Sequence, residues 1–100
     1  MIKFSPLSES ELNKWLESHP DWCIKDNTLQ ARFTTADFRS AMALINMVAT
    51  EAEVINHHPN YTHSFLTIDF SLSTHDADGR ITSLDCKLAS YISKAASIFN

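Results

Sequence analysis

Between Phe65 and Thr74 the chain alternates without interruption. Leu66, Ile68, Phe70 and Leu72 fall on one side, and Thr67, Asp69, Ser71 and Ser73 on the other. A period of two is the repeat of a β-strand, whose side chains point to opposite faces in turn. One apolar and one polar face mark a strand of an antiparallel sheet covered on one side only, because a strand buried on both faces reads as apolar throughout. His75 has the parity of the polar side, so a strand that runs on that far carries it away from the core.

Something apolar must cover that sheet, and helices are spelled out elsewhere. Phe38, Ala41, Met42, Ile45, Val48, Ala49, Ala52 and Ile55 recur at spacings of three and four, which predicts a helix of roughly five turns with one buried side. Thr35 is the expected N-cap, with Asp37 in the first turn. Asn46, Thr50 and Glu53 share a different face. Ser8 and Glu11 have the spacing of a capping box, with Leu7 as its hydrophobic staple. Leu12, Trp15 and Leu16 continue a helix over 9–18, which His19-Pro20 ends. Thr82 and Asp85 form a second capping box, ahead of a final helix carrying Leu84, Leu88, Tyr91, Ile92, Ala95 and Phe99.

Trp22–Ile24 and Leu29–Phe33 read as strands of a hairpin, joined by the turn residues Lys25-Asp26-Asn27-Thr28. A further strand is possible at 61–65. The expected class is α+β: an antiparallel sheet of about four strands with helices packed on one face, residues 1–100 forming a single domain.

Composition removes several functions. Net charge is −4, and the eight Lys and Arg are scattered, so nothing draws the chain to nucleic acid or an anionic membrane. No segment approaches the ~20 apolar residues of a membrane span. The chain has one Gly, so it has no glycine-rich phosphate loop. Cys23 and Cys86 form no CxxC pair, and the first residues lack a signal-peptide pattern, so reduced thiols and a cytoplasmic location are expected.

Chemistry is concentrated in the histidines. His57 and His58 follow the long helix and His75 follows the long strand. Imidazole exchanges protons near neutral pH without special tuning, and a group of them supplies an acid and a base together. Taken singly, each has a plainer role: His57 and His58 as helix-end residues ahead of Pro59, His75 as a solvated strand end, Asp85 as a cap, Glu53 as part of a polar helix face. Tyr61 and Phe65 serve equally well as packing residues, and His19 and His63 read as surface residues. Zinc is disfavoured, since adjacent histidines do not easily face one ion and no cysteine has a ligand-spaced partner.

Glu53-Val54-Ile55-Asn56-His57-His58-Pro59-Asn60-Tyr61, then Phe65, Leu72-Ser73-Thr74-His75 and Ile81-Thr82-Ser83-Leu84-Asp85, resemble the signature of the pterin-4a-carbinolamine dehydratases. Val48-Ala49, Ala52, Trp22 and Asp37-Phe38 fit as well, and the resemblance spans residues 22–95. It implies a hydro-lyase that dehydrates 4a-hydroxytetrahydrobiopterin to quinonoid dihydropterin in tetrahydrobiopterin recycling, with no cofactor and no metal. It implies that His57, His58 and His75 carry the proton transfers, that Asp85 orients one of them, and that Glu53, Asn56, Pro59 and Thr74 contact the pterin. It further implies a homodimer or homotetramer and a functional link to an aromatic amino acid hydroxylase. The other role known on this fold is non-catalytic, as a dimerisation or assembly cofactor for other proteins. The loop Asp76–Arg80 is one residue longer than is usual in the family.

Overall fold

The computed structural model describes residues 5–100. Its elements run α1 (Glu9–Glu17), β1 (Cys23–Lys25), β2 (Thr28–Thr34), α2 (Phe38–Ile55), β3 (Asn60–Ser64), β4 (Thr67–Leu72), a 3₁₀ turn at His75–Ala77, and α3 (Ser83–Phe99). The strands form one antiparallel sheet in the order β1-β2-β4-β3.

The alternating segment sits at the centre of this sheet. β4 pairs with β2 through Leu29↔Leu72, Ala31↔Phe70 and Phe33↔Ile68, and with β3 through Tyr61↔Phe70 and His63↔Ile68. Ile68, Phe70 and Leu72 are almost wholly buried, each contributing about 1.5–3 kcal/mol by leaving water. Residues of α2 (Leu44, Val48) and α3 (Leu88, Ile92) complete the same core. The other face of the sheet is polar. There Arg32 sits opposite Asp69 and grips it through Nε (2.6 Å) and Nη2 (3.2 Å), and the guanidinium holds the Asp69 carboxyl below its ordinary range.

Both capping boxes form. Ser8 accepts from the Glu11 N–H while Glu11 accepts from the Ser8 N–H, and Thr82 and Asp85 do the same at α3. The β1–β2 turn places Asp26 and Asn27 at φ 53° and 61°, the left-handed backbone a two-residue hairpin requires. The possible extra strand exists as β3. Its turn to β4 puts Phe65 at φ 50°, a conformation that costs a non-glycine residue about 1–2 kcal/mol.

Three local expectations need correction. The N-cap of α2 is Asp37, whose carboxylate accepts from the Ser40 N–H at 2.7 Å. Thr35 is unavailable, because its hydroxyl is buried and donates to the Leu66 and Asp37 carbonyls. β4 stops at Leu72, so His75 opens a 3₁₀ turn instead of continuing a strand. That turn closes through Thr74 N–H to Arg80 O, Gly79 N–H to Thr74 O, and left-handed backbone at Asp78 and Gly79. His19 is no free surface residue. It stacks on Trp15 with ring centres 3.9 Å apart and lies 3.1 Å from Ser90 Oγ, tying the α1 end to α3.

Candidate active site

The site begins where α2 ends. Asn56 takes left-handed backbone (φ 52°, ψ 47°), which asparagine tolerates better than most residues. The next N–H, that of His57, returns to Ala52 O at 2.9 Å. This closure satisfies end carbonyls of the helix and reverses the chain sharply. Adjacent histidines are thereby sent in different directions, with His57 buried and His58 exposed.

His58 turns back along α2, and its Nε2 lies 2.6 Å from Glu53 Oε2. Both side chains are more than half exposed. His57 points inward, and its Nε2 lies 2.6 Å from Oδ1 of Asp85 in the first turn of α3. Asp85 is fully buried. A carboxylate placed there is costly unless its oxygens are hydrogen-bonded, and here they are: Oδ2 accepts from Thr74 Oγ1 at 2.8 Å and from the Thr82 N–H at 2.9 Å. Asp85 thus serves as helix cap and histidine partner together, one oxygen for each. Beside it, burial and the Asp85 charge push the Cys86 thiol up to about 11.

His57, His58 and His75 converge on one cavity of about 520 Å³, also lined by Ile55, Asn56, Ser73, Thr74, Asp76 and Leu84. That is within the usual range for a small-molecule pocket. Two elements supply the three histidines: the α2 end gives His57 and His58, and the 3₁₀ turn gives His75. Asp85 does not line the cavity but lies behind His57. Glu53 and Pro59 line an adjoining apolar pocket of about 220 Å³ with Val48, Ala52, Tyr61 and Phe70, and His58 borders both spaces. The hydroxyl of Thr74 faces Asp85 and Thr82 in the interior, which the reading of Thr74 as a pterin contact did not anticipate. Ser73, Asp76 and Leu84 line the cavity without having been singled out. Their signal was adjacency to the histidine and aspartate motifs.

Among the described residues no three His, Cys, Asp or Glu side chains come together as a metal-binding group, and no helix is long and apolar enough to cross a membrane. His63 lies away from the cavity, with its ring against Phe38 (centres 5.5 Å apart) and Nε2 2.8 Å from Phe65 O.

A family model described as pterin 4 alpha carbinolamine dehydratase matches residues 5–95. A protein of Prochlorococcus marinus (strain MIT 9215), named "Putative pterin-4-alpha-carbinolamine dehydratase", is 41% identical over 88 residues, 88% of this chain and 91% of that protein. The crystal structure of a transcriptional coactivator/pterin dehydratase from Brucella melitensis aligns with TM-score 0.86 at 30% identity, covering 91% of this chain and 98% of that one. A pterin dehydratase-like protein identified as a RuBisCO assembly factor in the alpha-carboxysome aligns with TM-score 0.62 at 17% identity, over 75% of this chain and 86% of that one. The last similarity is one of fold.

Proposed function

Because the chain belongs to the pterin 4 alpha carbinolamine dehydratase family, we propose that it dehydrates 4a-hydroxytetrahydrobiopterin to quinonoid dihydropterin by histidine acid–base catalysis. One observation carries the reading: three histidines line a single cavity, and one of them is backed by a buried, fully hydrogen-bonded carboxylate. Such an arrangement is costly to build and has the parts of a proton-transfer site.

The reaction is an elimination across C4a–N5. The C4a–O bond breaks, and its electron pair leaves with the hydroxyl, which an acid protonates to give water. The N5–H proton goes to a base, and the electron pair of that bond forms the C4a=N5 double bond. The pterin is neither oxidised nor reduced, so the step needs one donor and one acceptor of protons. General acid and general base each supply about 10²–10⁴-fold. His57, His58 and His75 fill these roles. Asn56 and Ser73, which line the same cavity, would meet polar edges of the ring, and the apolar pocket beside His58 would take the less polar part of the substrate.

In this reading the protein is one domain, works in the cytoplasm as a homodimer or homotetramer, and serves an aromatic amino acid hydroxylase by returning its spent pterin to a reductase. The exposed apolar residues Phe38, Met42, Tyr61 and Phe65 support association.

A second reading has its own support. The carboxysome protein of the same fold is described as an assembly factor, and in this chain one face of the sheet carries no helix. A pure protein-binding module has no use for the cavity histidines and the buried carboxylate behind one of them, so we rank it second. The deciding test is a stopped assay on freshly generated 4a-hydroxytetrahydrobiopterin. Dehydration well above the spontaneous rate, lost in His58→Ala, is the expected result. No acceleration by the native protein would leave the binding module as the better reading.

A further inference from the structure

We propose that Thr74 and Thr82 form a one-way hydrogen-bond relay that holds Asp85 in place and so fixes which nitrogen of His57 faces the substrate. This deepens the dehydratase reading and rests on it for its catalytic consequence. The hydroxyls of both threonines are engaged in the interior, with each other and with Asp85 or the α3 backbone, so both act as positioning residues.

The direction of every bond follows from counting protons. A hydroxyl has one proton to give. Thr74 gives its proton to Asp85 Oδ2 at 2.8 Å, since an ionised carboxylate only accepts. Thr74 and Thr82 hydroxyl oxygens are 2.6 Å apart. With the Thr74 proton already committed, Thr82 must be the donor in that contact. The Thr82 oxygen in turn accepts from the Leu84 N–H at 3.2 Å. The relay therefore starts at the backbone of α3, passes through two buried hydroxyls and ends on Asp85. The Thr82 N–H adds a further bond to the same oxygen at 2.9 Å.

Thr74 and Thr82 are 3% and 0% exposed, so water does not substitute for either link. With Oδ2 saturated, Oδ1 is the oxygen left for His57, and the 2.6 Å contact is one in which Nε2 carries the proton. In the neutral ring that leaves Nδ1 bare. Nδ1 has no partner among the described residues and is not sealed from solvent, and His57 lines the cavity. The relay thus presents an unprotonated nitrogen to the pterin: His57 is set up to receive a proton. His58 and His75 are left as candidates to donate one.

The experiment is nitrogen-detected NMR of ¹⁵N-histidine protein, run alongside turnover, on wild type, Thr74→Val and Thr74→Ser. The wild type is expected to show neutral His57 with Nε2 protonated and Nδ1 bare, and a Thr74 hydroxyl proton slow to exchange. Thr74→Val should give a mixture of His57 tautomers and a kcat about tenfold lower with KM changed less than about twofold. Thr74→Ser should restore both. Wild-type His57 with its proton on Nδ1, or a fast-exchanging Thr74 hydroxyl, overturns the relay without any variant, so the test survives a Thr74→Val that does not fold. A Thr74→Val protein with wild-type His57 signals and turnover overturns it too, leaving the threonines purely structural. If the wild type has the stated tautomer and protected hydroxyl but does not dehydrate the pterin, the relay stands and the dehydratase reading fails.

Discussion

His57 and Asp85 are 28 residues apart in sequence, and their side chains meet at 2.6 Å beneath the cavity floor. The meeting joins the C-terminal end of α2 to the N-terminal end of α3, since His57 is the first residue past the cap of α2 and Asp85 lies in the first turn of α3. Asp85→Asn tests what the contact does. The amide nitrogen cannot accept: in place of Oδ2 it faces the Thr82 N–H and the Thr74 hydroxyl, and in place of Oδ1 it forces the His57 proton off Nε2. A buried unsatisfied group costs about 1–3 kcal/mol, and unfolding by denaturant should register a loss of that size. If His57 transfers a proton as proposed, dehydration should fall by at least about tenfold once its partner is gone. Full activity and affinity in Asp85→Asn would remove its role as orienting partner.

The pair Glu53–His58 has the same spacing, 2.6 Å, and opposite surroundings. Both side chains stand largely in water, where an ion pair is worth about 0–1 kcal/mol. His58→Ala and Glu53→Gln should therefore leave the unfolding midpoint nearly unchanged. Activity should separate them from bystanders: about 10²-fold lower for His58→Ala, and weaker pterin binding for Glu53→Gln. Pterin affinity measured by fluorescence quenching checks the second, and an unchanged value would remove Glu53 from the site.

Much of this was legible in the sequence because it is written in local repeats. The alternation through Ile68, Phe70 and Leu72 is a property of the sheet itself, and the boxes Ser8–Glu11 and Thr82–Asp85 are complete within four residues. His57, His58 and His75 draw notice from their places at element ends, but their meeting in one site with Asp85 was legible only through the family resemblance, since no spacing rule brings together residues from two helix ends and a turn. What escaped depended on competition between neighbours. Thr35 looks like a cap until the Leu66 carbonyl claims its hydroxyl. Thr74 does line the cavity, but nothing in the sequence shows that its hydroxyl is engaged by Asp85 and Thr82. His19 lacks a local motif, and its anchor on Ser90 lies 71 residues away.

The exposed aromatics give a prediction about assembly. Phe38 is 50% exposed, Tyr61 49% and Phe65 69%, and β3, which carries Tyr61, is an outer strand of the sheet. An open strand edge beside apolar side chains is an invitation to pair. Light scattering should give the native protein a mass that is a multiple of 11.3 kDa, and the double variant Phe38→Glu, Tyr61→Glu should shift it towards the single chain. Native protein already at the single-chain mass would remove the oligomer from the proposed function.

The two cysteines should differ sharply in reactivity. Cys23 is exposed on the outer strand β1, whereas Cys86 is buried beside Asp85. The thiolate is the reactive form, and burial together with the neighbouring carboxylate raises the Cys86 thiol from its ordinary 9.0 to about 11. At pH 8 an aromatic disulfide reagent should titrate Cys23 promptly and reach Cys86 only when denaturant is added. The same shift sets a direction for stability at high pH. The unfolded chain releases the Cys86 proton near 9.0, and the folded chain holds it to about 11. Cys86 therefore costs the fold nothing below pH 9, and its contribution turns against the folded state as pH climbs through that interval. Replacing it by alanine should flatten that part of the curve of unfolding free energy against pH, while Cys23→Ala should leave it as it was. A Cys86→Ala curve with the native slope between pH 9 and 11 would place the alkaline loss on other groups.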